Sequence, residues 1–112
     1  MPDPKADLRD LLAALVKIAL VGLQGETDGW RTDAIAAQRR VQAEAGAAAA
    51  LPLDDLWSAA VIRAERDPAV RRDETVNPTL PMRSPVGIER LGAVPFDLES
   101  AVQAIRDAAS FG

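Results

Sequence analysis

Histidine, cysteine and tyrosine are all missing from the 112 residues, and the aromatic side chains amount to two Trp and two Phe. Without His the chain lacks the side chain that ordinarily takes and gives protons near neutral pH. Without Cys it has no disulfide framework, thiolate metal site or cysteine nucleophile. Ser58, Ser84, Ser100 and Ser110 have no His base, and Lys5 and Lys17 stand in no Ser-x-x-Lys arrangement, so a Ser–His–Asp triad within one chain is excluded. Neither a Gly-x-x-x-x-Gly-Lys-Ser/Thr loop nor a Gly-x-Gly-x-x-Gly turn occurs. No cofactor is expected.

Positive charge is also short. Thirteen Lys and Arg face 17 Asp and Glu, a formal net charge of -4, which disfavours general attraction to a phosphate backbone. Arg39-Arg40 lies near Glu44, and Arg71-Arg72 is surrounded by Asp67, Asp73 and Glu74, so both pairs read as solvated helix faces. The apolar run from Leu11 to Leu23 is too short to cross a bilayer at 1.5 Å rise per residue, and Lys17 interrupts it. Lys17 must either extend its charged head to solvent along its aliphatic stem or find a carboxylate, and the first is the favoured reading. Met1-Pro2-Asp3-Pro4-Lys5-Ala6-Asp7 is not the basic region of an export signal, so the expected location is cytoplasmic, with no membrane association.

What remains is helical. Hydrophobic residues make up 48% of the chain, and Ala supplies much of that share. An Ala-rich core buries modest area per residue, which makes self-association a way to bury more. The length predicts one domain. Leu8, Leu11, Leu12, Leu15, Ile18, Ala19 and Gly22 follow helical spacing, while Val16, Leu20, Val21 and Leu23 add apolar area off that stripe. This first helix is therefore either central or at an oligomer contact. Asp7 and Asp10 near its start complement the helix dipole, and that explanation suffices for both.

Gln24-Gly25-Glu26-Thr27-Asp28-Gly29 has the composition of a turn followed by an N-cap. Trp30, Ala34, Ala37, Val41, Ala45 and Ala48 then form a narrow, flat apolar face. Pro52, with Asp54 and Asp55 behind it, opens a third helix whose Leu53, Leu56, Trp57, Ala60, Val61 and Ala64 give the clearest pattern in the chain. Trp57 is expected to be a principal core residue, and core packing is also the expected role of Trp30. From Arg71 to Pro95 the pattern disappears among Pro78, Pro81, Pro85, Pro95, Gly87 and Gly92. Val76, Leu80, Met82, Val86, Ile88 and Leu91 favour packing of this connection over the bundle. Asp97 caps a last helix carrying Leu98, Ala101, Val102, Ile105 and Ala109, with Phe96 placed to pack back on it.

The predicted fold is thus all-α: an irregular four-helix bundle with helices over about 6–24, 29–49, 52–67 and 97–109 and a Pro-rich irregular connection over about 71–95. Carboxylates at Asp54-Asp55, Asp67 with Asp73-Glu74, and Glu26-Asp28 are available to coordinate Mg²⁺ or to work as acid and base. Adjacent Asp54 and Asp55 point about 100° apart on a helix, however, and N-terminal capping accounts for them. No metal site is expected.

Leu11 to Lys17 followed by Gly29-Trp30-Arg31-Thr32-Asp33-Ala34-Ile35-Ala36-Ala37-Gln38-Arg39-Arg40 resembles the bacterial domain-of-unknown-function family twenty-nine. Val94-Pro95-Phe96-Asp97-Leu98-Glu99 looks like that family's C-terminal Pro-aromatic-x-Leu-Glu element. The resemblance spans about Leu8 to Val102 and implies a helical fold. The chain lacks the family's longer N-terminal helical region and the His and aromatic residues that follow its first Leu-rich helix. The family supplies no activity and no site residue.

Missing catalytic chemistry together with excess helical apolar area points to a non-enzymatic interaction or assembly module, either a homo-oligomer or a binder of a partner protein. The candidate contact residues are Val16, Leu20, Leu23, Ala37, Val41, Leu80, Met82 and Val86. A small regulator, antitoxin or inhibitor, whose 71–95 segment masks a partner is the second reading. A carboxylate-dependent metal enzyme, requiring at least three converging acids, is the third.

Overall fold

The computed structural model describes residues 3–21, 27–67 and 80–109, and among these it holds six helices and no strand. Helix α1 runs from Pro4 to Val21. It starts two residues before the predicted boundary because Pro4, with its φ preset, occupies the first helical position while Asp3 caps it: the Asp3 carboxylate Oδ1 accepts from Ala6 N at 3.2 Å. Residues 22–26 lie outside the described residues, and with them Leu23 and the first half of the expected turn, Gln24-Gly25-Glu26.

Helix α2 spans Thr27–Ala43 and α3 spans Ala45–Ala49, so the single helix expected over 29–49 is broken at Glu44. There φ and ψ are -116° and 36°, and the Glu44 amide is shared between the carbonyls of Arg40 and Val41 at 3.2 Å each. Gly46 weakens helical preference just beyond the break. No large apolar side chain stands between Val41 and Leu51 to hold a straight continuation against the core, and beyond the break Ala48 is buried.

Helix α4, Leu53–Glu65, begins after Pro52 with Asp54 and Asp55 in its first turn. Its stripe of Leu56, Trp57, Ala60 and Ala64 is buried as its spacing predicts. A short helix, α5, at Ile88–Leu91 interrupts the region expected to be irregular; Gly87 precedes it in extended backbone. Residues 71–79 of that region are outside the described set. Helix α6, Leu98–Ala108, is capped as expected: the Asp97 carboxylate accepts from Ser100 N at 3.0 Å. Ala101, Val102 and Ile105 of α6 are buried.

Helices α2, α4 and α6 each pack on α1. Leu8, Leu11, Leu12, Ala13, Ala14, Leu15, Val16 and Ile18 are all buried, so α1 is apolar on most sides because it is covered on most sides. Of the two positions open to it in the sequence, α1 takes the central one. At its C-terminal end Arg106 of α6 donates through Nε to the Ala19 carbonyl at 3.4 Å and through Nη2 to that of Ile18 at 3.3 Å, the pairing a helix C-terminus favours.

The 80–97 segment is fastened to this bundle by polar bonds. The Trp57 indole N–H donates to Pro81 O at 2.8 Å, and the Asp54 carboxylate accepts from Ser84 N at 3.1 Å. Gln38, a buried polar residue of α2, donates to Leu91 O at 3.2 Å and Ala93 O at 3.0 Å. Val86 and Leu91 are fully buried beneath these anchors.

Candidate interaction site

The expected contact residues divide sharply. Val16, Ala37, Val41 and Val86 are at most 1% exposed, so they form core and present nothing to a partner. Val16 was read as apolar area off the first stripe, Ala37 and Val41 as the flat face of the second helix and Val86 as part of the connection; each is used inside the chain. Leu20 and Leu80 are half-buried against the same core. Leu23 lies outside the described residues. Met82 alone among the seven described is open to solvent, at 88% exposure, with Val94 of the same segment at 72%. Ile35 on α2 and Ile62 on α4 are the other large apolar side chains exposed among the described residues.

A different feature brings chemistry together. An open cleft of about 270 Å³ lies where α1, α2 and α4 meet, lined by Asp10, Ala13, Ala14, Lys17, Trp30, Asp33, Ala36, Arg40 and Arg63. Ala13 and Ala14 are buried and form its apolar base, since no longer side chain fills the space above them. Lys17 rises from α1 on one side. Its Nζ sits 2.9 Å from Asp67 Oδ2 and 5.9 Å from the centroid of the Trp30 ring, within reach of a cation–π attraction. Of the two outcomes open to Lys17 the favoured one, extension to water, is corrected to the other: the partly buried ammonium finds a carboxylate, and with it a ring face. Trp30 is half-buried, packed on the core by one part and facing the cleft by another, so its expected core role holds only in part.

The two arginines are positioned by acids of α1. Arg40 Nε donates to Asp7 Oδ1 at 2.8 Å, and Arg63 Nη1 donates to Asp10 Oδ1 at 2.6 Å. Asp7 and Asp10 thus tie α2 and α4 to α1, which the helix-dipole explanation of these residues did not include. Asp33 stands exposed on the α2 wall with no ion pair or hydrogen bond among the described residues. Beyond the cleft, Arg31 and Glu99 pair α2 with α6.

The sequence explained Asp10 by the helix dipole and Arg40 as part of a solvated face, and gave Asp33 and Arg63 no role. A signal was present: Asp10 and Lys17 are seven apart with Ala13 and Ala14 between, and Asp33 and Arg40 are seven apart with Ala36 between. Two polar–small–polar stripes at helical spacing mark walls that face each other across a gap. Arg63 carried no such mark.

Of the acids considered for metal binding, Glu26, Asp73 and Glu74 lie outside the described residues. Among the described residues no three Asp or Glu side chains cluster to hold an ion. Asp54 is engaged with the Ser84 amide. No helix among the described residues is long and apolar enough to cross a membrane. No family model, no curated protein and no solved structure matches the chain.

Proposed function

We propose that this protein is a non-enzymatic interaction module that binds a partner protein through the α1–α2–α4 cleft. The observation that carries this reading is the cleft's make-up: one half-exposed Trp and two Arg around an Ala base, on three helices packed to one core. Trp and Arg are the residues most enriched where interfaces concentrate their binding energy. Each Arg is held by an Asp of α1, so little side-chain freedom is lost when a partner docks. The volume falls below the roughly 300–1,000 Å³ of small-molecule sites, which favours an inserted side chain over a cofactor.

Self-association loses its original motive, because the apolar area of α1 and the Val41 side of α2 is spent on the chain's own core. The masking-regulator reading also has less support, since residues 80–93 are fastened to their own bundle by four anchoring bonds. A cytoplasmic setting belongs to the proposal, in keeping with a chain free of cysteine. The resemblance to the bacterial family adds helical elements to this reading and no activity.

Affinity capture from the native host with the wild-type chain and with Trp30→Ala tests the proposal. The expected result is a stoichiometric partner that Trp30→Ala loses while its circular dichroism stays helical. Recovery of no partner, or equal recovery by the variant, overturns it.

A further inference from the structure

We infer that the cleft takes a basic side chain, Arg or Lys, from the partner, with Asp33 and Asp10 receiving its charge; this rests on the interaction reading and specifies its partner chemistry. The three cations lining the cleft each already have a carboxylate: Lys17 has Asp67, Arg40 has Asp7 and Arg63 has Asp10. Asp33 has no partner among the described residues. Asp10 engages Arg63 through Oδ1, which leaves Oδ2 as an acceptor. An anionic ligand could reach the N–H donors that Arg40 and Arg63 leave unused, but these charges are already offset by Asp7 and Asp10, and it would meet Asp33 as a like charge. A cation meets an unused carboxylate at once.

The shape agrees with the charge. Arg and Lys join an apolar stem to a charged head. The cleft joins an apolar base of Ala13 and Ala14, with the Trp30 ring beside it, to a charged rim on which, among the described residues, Asp33 and the second oxygen of Asp10 stand unpartnered beside the ion-paired Lys17, Arg40 and Arg63. A purely apolar side chain would leave that rim without a partner, and a short acidic one would reach neither feature. The chain's net charge of -4 adds a weak long-range attraction for a basic partner.

Nuclear magnetic resonance titration of the full chain with N-acetyl-arginine amide tests this, with N-acetyl-norleucine amide and inorganic phosphate as the comparison probes. The arginine probe is expected to give saturable shifts at the Trp30 indole and the Asp33 amide. The buried Trp57 indole, bonded to Pro81, should stay still as an internal control. Asp33→Asn, at an exposed position, is expected to keep the fold and weaken the arginine probe about two- to fivefold, and added salt should weaken it further. An equal response to the norleucine probe, phosphate binding at the same signals, or unchanged affinity in Asp33→Asn overturns the assignment. A captured partner lost by Trp30→Ala but kept by Asp33→Asn would retain the interaction module and overturn the basic side chain. Saturable arginine binding with no captured partner would do the reverse.

Discussion

Helix α1 enters the core through eight buried apolar side chains, whereas the 80–97 segment contributes two fully buried ones and relies on polar bonds to Trp57, Asp54 and Gln38. Both lie on the same bundle. Apolar burial is non-directional and roughly proportional to area, so α1 is held by the sum of its neighbours and its loss is felt everywhere. A hydrogen bond to one carbonyl fixes one point, so the segment is held locally and is expected to release locally.

The largest effect is therefore expected in α1. Leu15→Ala deletes a fully buried side chain at the centre of the hub and should cost about 2–5 kcal/mol. Against the roughly 5–15 kcal/mol of a typical domain, that is a large fraction of the whole. Urea unfolding followed by circular dichroism measures it. A loss below about 1 kcal/mol would mean that α1 is not the hub its burial implies.

Trp57→Phe comes next and tests the other side of the comparison. Phe keeps most of the apolar body but removes the N–H that satisfies Pro81 O, a cost of about 1–3 kcal/mol. Amide hydrogen exchange should accelerate most at Val86 and through α5, and less across α1. If α1 amides accelerate equally, the segment is part of the global unit and the contrast with α1 fails.

The same contrast separates what was legible in the sequence from what was not. Helical spacing picks out faces that must be covered, so Leu11, Leu15, Trp57, Ala60, Val102 and Ile105 were readable as core. It gives no distance between helices. The off-stripe Val16 and the flat face carrying Val41 were therefore available to a partner on the sequence alone, whereas both side chains are buried within the chain. Gln38 reads as a polar residue on a helix; its role depends on two carbonyls more than fifty residues away, which no local pattern encodes. The break at Glu44 had only Gly46 as a sign. The cleft was hidden for a related reason: Asp10 was explained by the helix dipole, Arg40 as a solvated face and Trp30 as core, each within its own helix, and no local pattern shows that the space above Ala13 and Ala14 stays open.

The smallest effects are expected at the cleft's ion pairs, and they sharpen the comparison by adding a third kind of attachment. Arg40–Asp7 and Arg63–Asp10 join the same helices that apolar burial already joins, so double-mutant cycles to Ala should give couplings of only about 0.2–1 kcal/mol each. They should not be equal. The Asp7 side chain is 13% exposed and that of Asp10 36%, while the two arginines are about equally open, at 51% and 53%. Water and salt screen the pair with the more exposed acid more strongly, so the Arg40–Asp7 coupling should be the larger and should survive added sodium chloride better. A larger, salt-resistant coupling at Arg63–Asp10 would show that Asp10 is committed to Arg63 alone, and its second oxygen would then be a poor receptor for an incoming cation.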